Sequence, residues 1–418
     1  NSTFFGYQAG LNDDLSNNSN LFFGYQAGLS TTTGILNTAT GNQSFYSNTT
    51  GNYNTAIGTT ALFSNTTGTG NVAIGWRTSF RNITGHYNVA MGYRPLYNNQ
   101  SGNYNVALGR EALNNTATSY NIAIGGLSQY TNVTGPHNIA IGYQSLRLNN
   151  TGNGNVAVGS YALGNSTANT IGIDNTATGI QSLTSNTTGK ENTSTGYQAL
   201  FSNTTGRDNT AMGWKALYTS TNTSGNTSIG AGSLYNNVEG AEHTAVGYQA
   251  LDKNTEGTRN TGLGYSAGSS TVTGNYNTSV GYNAQPSNNS ASNQFTLGDT
   301  NISNLRCNDT SISSLSDQRD KTEIIDSPYG LDFINTVKPR QFKWETRDGN
   351  IKDGTTRIGF IAQELLESCG TENDILNLVL EENPNRIEAS YGNLLPIAIQ
   401  AIKDLSAKVE ALEKQLNK

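Results

Sequence analysis

Over the first 300 residues, short apolar clusters recur along the chain at a fixed interval. The recurring signature runs "NTAIG", "NVAIG", "NVAMG", "NVALG", "NIAIG", "NVAVG". Its closing glycines fall at 6, 24, 41, 58, 75, 92, 109, 125, 142, 159, 179, 196, 213, 230, 247, 264, 281 and 298, a spacing of 17 residues with single steps of 18, 16 and 20. Inside the signature, Val and Ile alternate with Asn and Ala at period two, which predicts a strand. A second segment such as "YQAL" follows, and then "SNTTGNY", where Asn can bond its own backbone and Gly supplies positive φ. Each 17-residue coil is therefore expected to hold two short strands and two turns; it is too short for a helical hairpin. One coil buries almost nothing alone, so the core must come from stacking eighteen of them. Val72 and Ile74 are expected to sit between Thr55 and Ile57 on one side and Val89 and Met91 on the other. The uniformly small Ala56, Ala73, Ala90 and Ala107 are expected to face neighbouring chains around a threefold axis. At ~4.8 Å per rung, the stack would be roughly 80 Å long.

At "SDQRDK", residues 316–321, the pattern changes. "RQFKWE" predicts a short strand, "RIGFIAQELLESC" a strand or turn running into a helix, and "LNLVLEEN" another strand. Leu395, Ala398, Ile402, Leu405, Val409, Leu412 and Leu416 are spaced 3, 4, 3, 4, 3, 4, a heptad seam with charged residues between. The expected fold is mainly β: a parallel β-roll or solenoid shaft, trimeric, followed by a small α+β domain ending in a coiled-coil helix. The boundaries are 1–299 for the shaft, 300–315 for a connector and 316–418 for the last domain, with the coiled coil from about 393 to 418.

Charge marks the same boundary. Residues 1–315 carry 11 basic and 12 acidic side chains, and residues 316–418 carry 13 and 18. The net charge of −6, with no basic stripe, argues against nucleic-acid binding. No apolar run approaches a membrane span and no signal peptide opens the chain; because the repeat is already under way at its start, something is expected to precede residue 1. Cys307 and Cys369 are too few for a disulfide framework and are expected to be free thiols. The three histidines, His86, His137 and His243, all lie in the repeat and none is near a cysteine. Neither a zinc site, nor a cofactor, nor a Ser-His-Asp triad is expected.

Two features of the repeat bear on function. Aromatic residues follow many signature glycines: Tyr7, Tyr25, Trp76, Tyr93, Tyr143, Tyr197, Trp214, Tyr248, Tyr265 and Tyr282. They predict a stacked column on one side of the shaft, either a structural ladder or a surface for sugar rings. Asn-X-Ser/Thr sequons, including Asn48, Asn65, Asn82, Asn186 and Asn203, fall in the turns and are expected to be accessible, although the turn itself demands "NTTG".

The "NxAxG" coils resemble the left-handed β-roll heads of trimeric adhesins, with similar repeats in viral fibre shafts. Residues 316–418 resemble the C-terminal intramolecular chaperone of the endosialidase type that ends many phage tail fibres and spikes. "SDQRDKTEI" matches that family's SDxRxK opening at Ser316, Asp317, Arg319 and Lys321. "GLDFINTVKPRQFKW", "IGFIAQELLES" and "YGNLLPIAIQAIKDL" follow in order. The resemblance implies a Ser316–Lys321 dyad, Ser316 as nucleophile and Lys321 as base, that cuts the chain's own backbone. Asp317 and Arg319 would support it. A serine hydroxyl needs a base, and a lysine serves only when burial or a neighbouring cation, here Arg319, lowers its pKa. The resemblance points to the Ser316–Asp317 bond, whereas the geometry of hydroxyl attack favours Leu315–Ser316. Ile and Val at a with Leu at d would favour a dimer; the two resemblances imply three chains instead.

The expected function is a structural and adhesive homotrimeric tail fibre or spike of a virion. It would contact a host-surface glycan or protein without entering a membrane, and its last domain would register three chains and then release itself. The alternatives are a bacterial cell-surface trimeric adhesin, or the distal part of a glycan-degrading spike with its enzyme domain upstream.

Overall fold

The computed structural model describes residues 1–14, 16–164, 172–302, 305–306, 316–343, 345, 354–381, 383 and 387–417. The chain divides into two compact units, Asn1–Leu297 and Gly298–Lys418.

The first unit is a parallel β-solenoid. Eighteen strands of three residues each, from Thr3–Phe5 to Phe295–Leu297, form one sheet, which leaves seventeen turns between first and last. Register follows the signature: Val72 pairs with Thr55 and Val89, and Ile74 with Ile57 and Met91. The irregular steps of 18, 16 and 20 residues leave register intact, since Thr3 pairs with Leu21, Val106 with Ile122 and Val156 with Thr176.

Most coils hold one strand rather than the two expected. The "YQAL" segment is a turn in which alternate residues take left-handed φ, as at Gln144 (54°) and Leu146 (49°). That conformation aims the leucine inward while its backbone still bonds the next rung: Leu62 N donates to Thr78 O at 3.0 Å and Leu146 N to Ala162 O at 2.9 Å. One short side pair, Asn115–Thr116 with Thr131–Asn132, adds strand where two coils allow it.

The faces of the strand are also reversed from expectation. Ala56, Ala73, Ala90 and Ala107 are completely buried inside their own coil, among Leu62, Leu96 and Leu113. At Gly262, which occupies an alanine position, a Cβ would stand 3.0 Å from Leu251 Cγ. Where leucine from the turn fills the narrow coil, it leaves room for only a methyl group on the strand; where the turn carries Gly28 instead, Phe22 on the strand fills the space. Val and Ile therefore point outward, with Ile57, Val89, Met91 and Ile141 exposed.

Two asparagine ladders run through the interior. In one, the signature asparagine of each rung accepts the backbone N–H of the next: Asn71 N donates to Asn54 Oδ1 at 2.9 Å, and Asn88 N to Asn71 Oδ1 at 3.0 Å. The other consists of the turn asparagines, and it corrects the expectation that the sequons are accessible. Asn48, Asn65, Asn82, Asn186 and Asn203 are all fully buried. Asn82 Nδ2 donates to Asn65 Oδ1 at 2.8 Å and to Gly85 O at 3.0 Å, so the nitrogen that would carry a glycan is spent inside the fold.

His243 stands where Asn226 and Asn260 stand on adjoining rungs. Its N–H donates to Asn226 Oδ1 at 3.0 Å, and its Nδ1 accepts from Asn260 N at 3.1 Å. Burial pushes the imidazole down to about 4 from an ordinary 6.5, and a contact with the Gly257 backbone opposes this without cancelling it. The unfolded chain therefore takes up a proton near pH 6.5 and the folded one only near pH 4. Stability is full above pH 6.5 and falls as pH drops toward 4, by about 3 kcal/mol in all. His243→Asn should abolish that part of the acid sensitivity, read as the wild-type-minus-variant difference in thermal unfolding at neutral and acidic pH.

The signature glycines are sterically required. Gly75 has φ of +128°, and a Cβ there would lie 2.0 Å from Gly92 O on the next rung. Gly75→Ala is expected to destabilise its rungs by roughly 3 kcal/mol or more, from strain and overpacking together. Hydrogen exchange should show lost protection centred on Val72–Ile74 and Val89–Met91 rather than along the whole shaft.

The second unit is small and mixed. Strand Arg340–Lys343 pairs antiparallel with Thr356–Gly359, and helix Ala362–Cys369 follows. Val379–Leu380 pairs with Glu388–Ala389, and a long helix, Leu394–Leu416, ends the chain. Pro396 lies in that helix's first turn, where a missing N–H costs nothing. Leu365, Cys369, Leu378, Val379, Leu394 and Ile397 form the core. Cys369 is free and buried; Cys307 lies outside the described residues. Asp404 ties the long helix to the short helix Leu331–Ile334, its Oδ2 accepting from Leu331 N at 2.9 Å. Tyr391 clamps the strand end, accepting from Phe360 N at 3.2 Å and donating to Phe360 O at 2.9 Å.

Candidate active site

"SDQRDK" folds locally around Asp317. Its carboxylate accepts from Arg319 N at 2.9 Å and so caps the 3-10 turn Gln318–Asp320. Lys321 N closes the turn on Gln318 O at 3.2 Å. The chain thereby doubles back, and Lys321 Nζ donates to Ser316 Oγ at 2.5 Å. An extended chain could not do this, because five residues at full stretch would hold the two side chains well apart.

Arg319 does something other than expected. Its guanidinium grips Asp317, with Nε 3.0 Å from Oδ1 and Nη2 2.6 Å from Oδ2. The pairing lowers the Asp317 carboxyl below its ordinary value and raises Arg319 above its own. The arginine charge is thus matched by a carboxylate, and Arg319 serves to brace the turn. All residues from Ser316 to Lys321 are exposed within the single chain. Burial, the other means of freeing a lysine's lone pair, is not supplied by contacts among the described residues of this chain. Leu315 lies outside the described residues, so only the Ser316–Asp317 side of the candidate bond has a described geometry.

On the long helix, Leu394, Ile397 and Ala401 are buried against the domain, whereas the seam residues Leu395, Ile402, Leu405, Val409, Leu412 and Leu416 are exposed. Among the described residues no helix is long and apolar enough to cross a membrane, and no cluster of three or more His, Cys, Asp or Glu could hold a metal.

On the shaft, the aromatic residues after the signature glycines stack in separate runs: Tyr7 on Tyr25 at 5.5 Å, Trp76 on Tyr93 at 4.8 Å, and Tyr248, Tyr265 and Tyr282 in series at 5.1 and 5.2 Å. Sequence reasoning missed further columns, two of them four rings long. Tyr46, Phe63, Phe80 and Tyr97 stack at 5.0, 5.1 and 5.3 Å, and Tyr87, Tyr104, Tyr120 and His137 at 5.2, 5.2 and 5.1 Å. The first was detectable: each member lies five residues after a signature glycine.

Residues 316–372 match the family model described as Chaperone of endosialidase, beginning at Ser316 itself. No curated protein and no solved structure matches the chain. The matched family is one of self-cleaving, peptidase-type chaperone domains. Such a domain at the end of a β-solenoid shaft fits a tail-fibre-like protein.

Proposed function

We propose that the protein is a homotrimeric, adhesive virion fibre whose C-terminal domain brings three chains into register and then cuts itself off with Ser316 and Lys321. The observation that carries this reading is the Ser316–Lys321 contact at the first residue of the chaperone match. Three exposed surfaces are consistent with further chains: the outward Val/Ile face of the solenoid, the heptad seam of the long helix, and the candidate dyad. The dyad has contact without burial, and two more chains would supply the cover that turns Lys321 into a base.

At Leu315–Ser316, Ser316 Oγ would add to the Leu315 carbonyl through a five-membered ring, with Lys321 taking the hydroxyl proton. Collapse converts the amide to an ester and gives the proton to the departing Ser316 nitrogen; water then hydrolyses the ester. At Ser316–Asp317 the equivalent ring would have four members, so the attacking oxygen would come from water or another chain. A register device has a physical purpose here. Side-by-side packing of three chains of near-identical coils is slow to find its register, and a slip by one coil costs little. Light scattering and intact mass spectrometry on purified wild-type protein test the reading together: a trimer lacking about residues 316–418 is expected, and a monomer or an uncut chain in folded fibre would overturn it.

A further inference from the structure

On many rungs the second residue after the signature glycine is a neutral polar one, and glutamines there bond in series: Gln26 Nε2 to Gln8 Oε1 at 2.8 Å, and Gln43 Nε2 to Gln26 Oε1 at 2.9 Å. Two adjacent rungs carry cations there instead, Arg77 and Arg94, as Lys215 does on a distant rung. Arg77 lies between two aromatic rings, and Arg94 lies against one. The Arg77 guanidinium carbon is 4.5 Å from the Trp76 ring centroid and 5.6 Å from that of Phe80, and Arg94's is 4.4 Å from Tyr97. The rings continue across both rungs, Trp76 stacking on Tyr93 at 4.8 Å and Phe80 on Tyr97 at 5.3 Å. Trp76 and Tyr93 are exposed. Glu111 occupies the same position on the next rung, 3.5 Å from Arg94 Nη1 and 3.9 Å from Arg110 Nε, and closes the cationic stretch. It is the one acid between Asp14 and Asp174, an interval that holds five arginines.

We infer that these two rungs bind an acidic polysaccharide lying along the shaft. Exposed ring faces accept the apolar face of a pyranose, and a guanidinium fork between them accepts a sugar carboxylate in paired, charge-assisted hydrogen bonds. The rings already hold the guanidinium groups, so little side-chain freedom is lost when a ligand arrives. The repeat places one arginine per rung at ~4.8 Å intervals, which suits a chain with carboxylates set along its length. A nucleic acid is disfavoured, because the net charge is −6 and two floor cations cannot offset a phosphate on every unit.

The inference rests on the adhesive reading above but is tested apart from it. Purified wild-type protein would be titrated calorimetrically with polygalacturonate oligosaccharides at low and high salt, with dextran and oligodeoxythymidylate as controls. The comparison is Arg77→Gln/Arg94→Gln, which installs the residue that Gln43 and Gln144 already provide on other rungs. Wild type should bind polygalacturonate at least about tenfold more tightly than dextran, more weakly at high salt, and the double variant should lose about tenfold or more. Thermal unfolding checks the fold, and the single variants carry the comparison if the double variant does not fold. Absence of binding by wild type, equal binding by the variant, equal affinity for dextran, or tighter binding of the oligodeoxythymidylate would each overturn the site. None of these results changes the mass or trimer measurements that test the fibre reading.

Discussion

Ser316→Ala and Lys321→Ala are each expected to yield a single uncut polypeptide in a soluble trimer, and the wild-type chain two fragments. The hydroxyl is the atom that would attack, and Lys321 Nζ, 2.5 Å away, is the group positioned to take its proton. Removing either should slow cleavage by roughly 10³-fold or more, as loss of one member of a cooperating pair does elsewhere. Packing should survive, because both side chains are exposed and neither contributes to the domain core of Leu365, Leu378, Val379, Leu394 and Ile397. Arg319→Ala should act differently: it frees Asp317 and loosens the turn, so cleavage slows without stopping. Intact mass decides each case. A C-terminal fragment beginning at Ser316 assigns the cut to Leu315–Ser316, and one beginning at Asp317 assigns it to Ser316–Asp317. A Lys321→Ala chain cut at the wild-type rate would remove the lysine from the chemistry.

The second large effect concerns the history of the shaft. Deleting residues 316–418 before synthesis should give insoluble or misregistered shaft, whereas shaft left after self-cleavage should be a trimer that resists heating. The two samples have nearly the same sequence. What differs is whether a template was present when three chains searched for register. Burial repeated over eighteen rungs opposes unfolding, but it barely distinguishes correct register from a slip by one coil, so it slows escape without guiding entry. Size-exclusion chromatography with light scattering on both preparations tests this. Equal yields of well-formed trimer would show that the solenoid assembles unaided, and the chaperone role would fail.

The 17-residue spacing by itself determined the solenoid, its parallel pairing and its register, because main-chain pairing between identical coils has one in-phase solution wherever Asn, Ala and Gly must stack on their own kind. The blocks after "SDQRDK" likewise pointed to a small second unit with a long terminal helix; that unit begins at Gly298 rather than at Ser316. The tertiary structure alone decided which side of each strand faces inward. A period of two distinguishes two faces without ranking them, and only the inward leucines, such as Leu62 and Leu146 at left-handed φ, fill the coil and leave alanine beneath them. The same closure buried the sequon asparagines, whose side chains were needed to satisfy backbone groups inside the turns. It also brought Arg77 and Arg94, far apart on the linear chain, onto adjoining rungs, Arg77 between Trp76 and Phe80 and Arg94 against Tyr97.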